Sequence, residues 1–392
     1  MASTTTVIHS ARRVTPEGVV PDAWVAFTGD TITARGSGDS WRSSETAADA
    51  GTVIDAGNAL LTPGFIDIHC HGAAGHNFDD GPGGYGPALA LHRSHGTTRS
   101  LLSLVTNPLA EMLAATREAA SRASADELVL GIHLEGPFLS HSHKGAHDEN
   151  SLITPTPEAI DLLLEAAAGQ LRQVTLAPEL PGAREAIRQL VARGVAVAVG
   201  HSDADYETTA AACEAGASIL THAFNGMNGI HHRAPGPVVA ALDRESVILE
   251  VIADGVHVRP EIIGLLFAQA PDRVALVSDA MAATGNPDGD YRLGALEVTV
   301  TEGVARLTEG GNIAGSTLTL DRALHQTVRR AGVPVHLAVN ALTNVPARAL
   351  GLGDRYGRVA TGYAADILLL DDSFQPVRVW AAGREYAAAV RE

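Results

Sequence analysis

Two rhythms of hydrophobic and polar positions divide the chain. Residues 6–60 alternate short β-type runs with Gly, Pro and Asp turns, which predicts a small sheet. From Pro63 onward, runs rich in Val, Ile and Leu alternate with stretches rich in Ala, Leu, Arg and Glu, a rhythm typical of βα units. Eight apolar runs follow this rhythm: Phe65–His71, Thr98–Val105, Val129–Glu135, Gln173–Pro178, Val195–His201, Ser218–Phe224, Ile248–Asp254 and Val274–Asp279.

The eight runs predict a parallel barrel. Each run is short and largely apolar, as strands covered on both faces are. Helices are predicted between them, near Pro108–Ser124, Pro157–Ala168, Ala183–Arg193, Ala204–Ala215 and Pro260–Gln269. Eight strand–helix units indicate an α/β fold of the (β/α)8 TIM-barrel type.

The end of the chain returns to strand character. After the eighth run, Leu296–Leu307 is predicted as a hairpin insertion, and helices are predicted near Leu318–Ala331 and Val335–Leu350. This strand character is seen over Gly357–Leu370. Because chain termini often lie close together, we expect residues 355–392 to join residues 1–60 in one small β-sandwich domain, with residues 61–354 forming the barrel.

Composition narrows the class of protein. The net charge is −17 over 392 residues and no Lys/Arg cluster is present, so nucleic acid is excluded as an expected partner. No basic start leads into an apolar run, and no apolar run reaches membrane-spanning length. Cys70 and Cys213 are far apart in sequence and are expected to be free thiols. These features predict a protein of the reducing cytoplasm.

Polar side chains end six of the eight predicted strands. On a strand, residues i and i+2 point to the same side, so His69 and His71 can aim two imidazoles at one point. The carboxyl ends of barrel strands meet at one mouth, where such barrels do chemistry. The strand-end residues are His69, His71, Glu135, His201, His222, Asp254, His257 and Asp279.

Five of these residues form a nitrogen and oxygen ligand set that suits Zn²⁺ or Fe²⁺: His69, His71, Glu135, His201 and His222. Asp279 adds a carboxylate that can take a proton from water. Any one of them alone is more often a hydrogen-bonded core residue. Together, without a metal, they would leave several polar groups buried without partners, so the joint pattern predicts a metal centre.

Short motifs recur along the chain from Pro63 to Asp366: His69-x-His71, His133–Phe138, Lys144–His147, Thr221–Met227, Arg233–Gly236, Asp254–His257 and Asp279. In these motifs the chain resembles the amidohydrolase superfamily and, within it, the N-acetylglucosamine-6-phosphate deacetylases. One departure is Phe-Asn-Gly-Met where the family usually has Phe-Asn-Ala-Met; Gly226 is expected to preserve a backbone N–H contact.

The resemblance implies a metal-dependent hydrolase that removes the acetyl group of N-acetylglucosamine 6-phosphate, giving glucosamine 6-phosphate and acetate in amino-sugar catabolism. It implies Zn²⁺ or Fe²⁺, one or two per subunit. Some members lack the His-x-His pair and hold one metal, whereas this chain keeps both histidines. Lys144, the single lysine, follows Pro137 in a polar loop, so a carboxylated strand-end lysine is excluded and Glu135 takes that ligand role.

The resemblance also implies roles in catalysis and substrate binding. Asp279 is the expected proton acceptor, and His147 is expected to polarise the acetyl carbonyl; the alternative for His147 is a loop histidine with no role. Arg233 is expected to reach the phosphate across a homodimer interface; the alternative is a solvated surface arginine. The expected substrate-binding residues are Ala146, His147, Asn225, Gly226, Arg233, Asp254, His257, Ile313, Ala314 and Gly315.

Two other functions share the metal set. A ring-amine deaminase of the same superfamily would not need Arg233 or the Phe-Asn-Gly-Met motif, and it would release ammonia. A non-catalytic metal-binding protein would not need Asp279. The residues leave open the identity and occupancy of the metal and the preference among N-acetylhexosamine 6-phosphates.

Overall fold

The computed structural model describes residues 4–43 and 50–389. Its centre is a parallel barrel sheet of eight strands whose order in space follows their order in the chain. This confirms the predicted (β/α)8 class. The barrel strands, first to eighth, are Phe65–Asp67, Thr97–Leu104, Val129–Glu135, Leu171–Leu176, Ala196–Val199, Ile219–Leu220, Ile248–Ile252 and Val274–Val277.

Backbone hydrogen bonds just beyond the strand ends join the first and eighth strands. The Asp279 N–H donates to the His69 carbonyl (2.8 Å), and the His71 N–H donates to the Ala280 carbonyl (2.8 Å). Three of the residues expected to carry the chemistry, His69, His71 and Asp279, therefore lie on the segments that meet where the barrel closes.

Helices cover the outside of the barrel. Two of them, Pro82–Ser94 and Gly236–Leu242, were not predicted, because Gly and Pro are frequent in both and have low helix propensity. The α-helices are Pro82–Ser94, Leu109–Ala125, Pro157–Ala166, Ala183–Ala192, Tyr206–Ala215, Gly236–Leu242, Pro260–Gln269, Leu320–Arg329, Val335–Leu342 and Asn344–Ala349.

The helix predicted over Val335–Leu350 is wrong in one respect. The chain leaves helical geometry at Thr343, with φ −133° and ψ −80°, and a second helix starts at Asn344. Pro346 explains the break, since it has no N–H to donate to the carbonyl four residues earlier and its ring crowds that carbonyl.

Strands from both ends of the chain share one further sheet. Leu60–Pro63 pairs antiparallel with Ile367–Leu370 and so joins the two ends. The boundaries predicted for this small domain remain a prediction, and residues 1–3, 44–49 and 390–392 lie outside the described residues. The strands are Thr5–Thr15, Gly18–Thr28, Thr31–Ser37, Ala50–Asp55, Leu60–Pro63, Ile367–Leu370, Pro376–Ala381 and Arg384–Tyr386.

The insertion after the eighth barrel strand has three strands, one more than the predicted hairpin: Gly289–Leu293, Leu296–Thr301 and Val304–Leu307. A two-stranded ribbon, Gly72–Ala73 with His76–Asn77, follows the first barrel strand. Across the part of the chain that the structure describes, no helix has the length and apolar character that crossing a bilayer requires.

Candidate active site

Three of the strand-end residues adopt a backbone conformation that side chains rarely take. His201, His222 and Asp279 have φ values of 48°, 26° and 49°. Each lies two residues beyond the end of its barrel strand. Left-handed residues other than glycine cost on the order of 1–3 kcal/mol and cluster at functional sites. The rest of the fold therefore holds these strand ends in an otherwise unfavourable conformation.

Glu135 lies at the centre of the cluster. Its Oε1 atom is 3.1 Å from the Nε2 atoms of both His201 and His222. Its Oε2 atom is 3.1 Å from the Nε2 atom of His71. The carboxylate is 3% exposed, so it has little access to water. One carboxylate thus joins residues from the first, fifth and sixth strands.

In His201 and His222, the hydrogen bond of Nδ1 determines that the lone pair of Nε2 faces the centre of the cluster. His201 Nδ1 donates to the His143 carbonyl (2.8 Å), and His222 Nδ1 donates to the Asn225 carbonyl (3.1 Å). In the neutral rings both Nε2 atoms then carry lone pairs, yet they lie 3.0 Å apart and both contact Glu135. Three electron-rich atoms in mutual contact repel one another unless a cation lies among them. The donor set therefore fits a divalent metal ion.

A second group of donors includes the two histidines that follow the first strand. His69, His71, Glu135 and Asp279 each offer one ligand atom, and these atoms lie within 4.8 Å of one another. His69 Nδ1 faces a carboxylate oxygen of Glu250 at 3.1 Å, so this nitrogen donates and Nε2 faces inward. Outer-ring carboxylates of this kind orient metal-binding histidines and increase their basicity.

The charges of the cluster favour a positive charge at its centre. Burial opposes protonation of His69, but the carboxylates of Glu135 and Asp279 outweigh it and hold its pKa well above the usual range. The pKa of His71 rises to about 10 for similar reasons, with burial again opposing. Burial would raise the pKa of Asp279, but His69 and His71 lower it to about 2. Asp279 is therefore ionised at neutral pH.

His147 differs from the other histidines of the cluster. Its Nδ1 atom accepts a hydrogen bond from the Thr106 N–H (3.3 Å), which leaves the proton on Nε2. That Nε2 atom lies 3.5 Å from Glu135 Oε2. Burial lowers the pKa of His147 to about 4, although its contact with the Glu135 carboxylate opposes this effect. His147 is therefore a neutral donor at the mouth of the barrel.

A cavity of about 370 Å³ opens from the cluster. Two predicted residues, Ala314 and Asp254, do not line the cavity themselves. Ala314 is fully buried between the lining residues Ile313 and Gly315. Asp254 accepts a hydrogen bond from Nδ1 of the lining residue His257 (2.7 Å). Arg233 does not line the cavity of its own subunit; it is exposed and lies 2.7 Å from His232. Predicted residues in the lining are His71, Glu135, Ala146, His147, His201, His222, Asn225, Gly226, His257, Asp279, Ile313 and Gly315.

Two charged residues of this region were not predicted. Glu250 is fully buried in the middle of the seventh strand. The signal that could have revealed it is its charge, which interrupts the apolar run Ile248–Ile252. Arg306 lines the cavity from the inserted strands, where its Nη1 atom donates to the Gly311 carbonyl (3.0 Å). Its place in an exposed β-ribbon gave no indication of a role.

Comparison with known proteins agrees with this geometry. Residues 60–386 match the model of the amidohydrolase family. An N-acetylgalactosamine-6-phosphate deacetylase of Escherichia coli O157:H7 is 39% identical over 337 residues, which cover 85% of this chain and 89% of that protein. An N-acetylglucosamine-6-phosphate deacetylase of Vibrio furnissii is 38% identical over 337 residues, covering 85% and 84%.

A solved structure extends the likeness to the fold. A mutant N-acetyl-D-glucosamine-6-phosphate deacetylase of Mycobacterium smegmatis, in complex with N-acetyl-D-glucosamine-6-phosphate, superposes with a TM-score of 0.92 at 39% identity. The match covers 98% of this chain and 100% of that one. The barrel, the buried donor cluster and these likenesses together show that the chain belongs to the metal-dependent amidohydrolase family, alongside the N-acetylhexosamine-6-phosphate deacetylases.

Proposed function

We propose that this protein is an N-acetylglucosamine-6-phosphate deacetylase, which hydrolyses the acetamide to give glucosamine 6-phosphate and acetate. The observation that carries the proposal is the buried cluster around Glu135, with ionised Asp279 beside it, at the end of a cavity of about 370 Å³. That volume lies within the range of small-molecule sites. The deacetylase names of its relatives supply the substrate class.

Zn²⁺ or Fe²⁺ is the proposed ion, since both accept mixed imidazole and carboxylate ligands. Glu135, His201 and His222 would hold a first ion, and His69 and His71 a second that is more easily lost. When bound, such an ion supplies Lewis acidity, which makes water a nucleophile near neutral pH. We expect chelation to remove activity, and metal analysis during dialysis should show two losses at different chelator concentrations.

Asp279 is the proposed general base. Its ionised carboxylate would accept the proton of the attacking water and then deliver it to the leaving amine. The neutral His147 would donate a hydrogen bond from its Nε2–H group to the acetyl oxygen as negative charge develops there, and it would keep its proton. Its buried position supports this role, since donors in a site that excludes water stabilise developing charge more strongly.

Other residues of the cavity lining suit the sugar phosphate. Burial opposes protonation of His257, but its hydrogen bond with Asp254 outweighs burial and raises the pKa of the imidazole. A cationic imidazole and the Gly226 N–H, which line the same cavity, would bind phosphate oxygens through charge-assisted hydrogen bonds. Ile313 and Gly315 line the wall near the inserted strands and would contact the sugar.

Arg233 would complete the phosphate site from a second subunit. The side chain is exposed and lies outside the cavity lining of its own subunit, which supports a homodimer in which it reaches the partner. Mixing Arg233→Ala with Asp279→Asn protomers should restore some activity through hybrid dimers. Inactive mixtures that contain hybrid dimers would contradict this arrangement.

The product that the protein releases distinguishes a deacetylase from the alternative, a ring-amine deaminase. We expect the metal-loaded protein to release acetate from N-acetylglucosamine 6-phosphate and to release it no longer after metal removal. Ammonia release from a ring amine, without acetate release from this sugar, would identify a deaminase instead.

A further inference from the structure

The strands inserted after the eighth barrel strand, with the turn and segment that follow them, contribute part of the lining of the proposed active-site cavity. Arg306, on the strand Val304–Leu307, is the only arginine among the described residues that line this cavity, and no lysine lies there. The inserted region therefore brings one permanent positive charge to the cavity. Its other lining residues are neutral: Leu293, Gly311, Asn312, Ile313 and Gly315.

Strand pairing holds Arg306 beside the cavity. On one side the residue pairs antiparallel with Thr299, and on the other side it forms an antiparallel bridge with Ile313. Residues that face each other in an antiparallel pair have their side chains on the same face of the sheet, so the side chains of Arg306 and Ile313 are neighbours. Both residues line the cavity. Two neighbouring segments thus fix the backbone from which the guanidinium group extends.

The guanidinium group of Arg306 has donors that the fold does not use. Its Nη1 atom donates to the Gly311 carbonyl at 3.0 Å, which occupies one of the five N–H groups of an arginine. Within residues 4–43 and 50–389, the side chain forms no other hydrogen bond and no ion pair with a carboxylate. Because the residue is exposed, a ligand in the cavity can reach the remaining N–H groups.

The other charged groups of the lining leave a place for an anion near Arg306. Two carboxylates line the cavity, those of Glu135 and Asp279, and both belong to the buried donor cluster that fits a metal ion. In a chain with net charge −17, a cation without a carboxylate partner at a cavity attracts anionic ligands to that cavity. This distribution matches a substrate that places a neutral amide at the donor cluster and carries its negative charge elsewhere.

We propose that Arg306 determines the preference for a phosphorylated substrate by binding the phosphate group from within the same subunit. This role rests on the proposed function, which supplies a sugar phosphate as the substrate. A guanidinium group suits it, since its planar fork can donate two parallel hydrogen bonds to phosphate oxygens. Arg306 differs in this respect from Arg233, which is proposed to reach the phosphate from a second subunit.

The test compares Arg306→Gln with Arg292→Gln in the metal-loaded protein. Arg292 is the matched control, because it is an exposed arginine of the same inserted sheet and donates to a backbone carbonyl, that of Ala295 (3.5 Å), yet lies outside the cavity lining. In Arg306→Gln, the KM for N-acetylglucosamine 6-phosphate should rise about three- to tenfold with little change in kcat. This range lies between the effects of an exposed ion pair and of a charge-assisted hydrogen bond.

Two further measurements separate a binding role from a structural role. Acetate release from unphosphorylated N-acetylglucosamine should be the same in the parent, Arg306→Gln and Arg292→Gln. The ratio of KM values between Arg306→Gln and the parent should fall as sodium chloride is added, because salt screens an exposed charge. Calorimetric titration, which needs no turnover, should show weaker binding of glucosamine 6-phosphate to Arg306→Gln and unchanged binding of glucosamine.

The outcomes distinguish this inference from the proposed function. A parent that releases no acetate from a phosphorylated sugar would contradict the proposed function and this role with it. An active parent together with an Arg306→Gln variant whose KM equals that of Arg292→Gln would overturn the role of Arg306 alone. Equal losses of Arg306→Gln toward the phosphorylated and the unphosphorylated sugar would also overturn it, since they would show that the residue only maintains the shape of the cavity.

Discussion

Glu135 determines how the individual donors of the cluster are arranged. Its two oxygens face different histidines, Oε1 toward His201 and His222 and Oε2 toward His71. A carboxylate in this position could bind two metal ions. It could also bind one ion that both groups of histidines share. The side chains of three strands therefore depend on one residue, and changes near it should affect metal affinity before they affect the fold.

Asp279→Asn tests the proton acceptor. The amide cannot accept a proton from water, while Glu135, His201 and His222 stay unchanged. We expect the variant to fold and to keep metal, with kcat reduced about 10²- to 10⁴-fold. The control is Asp203→Asn, which removes an exposed carboxylate outside the cavity lining. A kcat near that of the parent in Asp279→Asn would remove this residue from the mechanism.

Glu250→Gln tests a positioning residue. Glu250 accepts a hydrogen bond from His69 Nδ1 and another from the side chain of Gln173 (2.8 Å). Loss of its charge should weaken metal binding about 10- to 100-fold, as changes behind metal-binding histidines do. Metal titration followed by competition with a chelator would measure this.

Glu179→Gln is the matched control for that change. Glu179 accepts hydrogen bonds from Ser202 and from the Asp203 N–H, beside His201, but from no imidazole among the described residues. Equal metal affinity in the Glu250 and Glu179 variants would show that Glu250 has only a structural role.

The backbones of two loops lie close to the imidazole ring of His201 and hold it in place. A Cβ atom on Gly145 would lie 2.9 Å from His201 Cε1, and one on Gly226 would lie 3.0 Å from His201 Nδ1. Both glycines have positive φ, 57° and 60°. The loops after the third and sixth strands thus enclose one imidazole, which explains why small residues are needed there.

Gly145→Ala should displace His201. The added methyl group meets the ring, so metal affinity and kcat should fall together, and the strained φ should cost on the order of 1–3 kcal/mol of stability. Gly169→Ala is the control, because Gly169 has a similar φ of 82° but no atom lies within 4 Å of the new Cβ. This variant should lose stability but keep its metal affinity and kcat. Unchanged metal affinity in Gly145→Ala would contradict a role for this loop in holding the histidine.

Strands and motifs were predictable because their signals are local. The apolar runs located all eight barrel strands, and residues such as His201 and Asp279 stood out because they end those runs. Glu250 was missed because a single buried carboxylate has no periodic signal. The helix Pro82–Ser94 was missed because packing outweighs the poor propensity of its Gly and Pro residues. The left-handed φ values of the strand ends also follow from tertiary contacts and not from residue type.

A buried ion pair joins the barrel to the sheet made by the chain ends. Arg99 of the second barrel strand donates to both oxygens of Asp366 (2.7 and 3.0 Å), and the Ala382 N–H donates to the same carboxylate (2.8 Å). Arg99 is 3% exposed and Asp366 is 5% exposed. The pair thus fixes the C-terminal strands against the barrel.

Asp366→Asn should destabilise the whole molecule. It leaves the Arg99 guanidinium buried without a counter-charge, which costs about 3–5 kcal/mol. Glu385→Gln is the control, because Glu385 pairs with Arg378 in the same two-bond geometry (2.7 and 2.8 Å) but at an exposed site, where a pair contributes at most about 1 kcal/mol. Urea denaturation measures both. Equal losses of unfolding free energy in the two variants would show that burial does not increase the contribution of the Arg99–Asp366 pair to stability.

The most direct test of the proposed activity is acetate release by protein of known metal content, with three substrates compared side by side. These are N-acetylglucosamine 6-phosphate, N-acetylgalactosamine 6-phosphate and unphosphorylated N-acetylglucosamine. We predict metal-dependent release with kcat/KM at least about tenfold higher for a phosphorylated sugar, since one charge-assisted hydrogen bond contributes about 1.5–3 kcal/mol. No acetate release from either phosphorylated sugar by metal-loaded protein, or equal rates with and without phosphate, would contradict the proposed function.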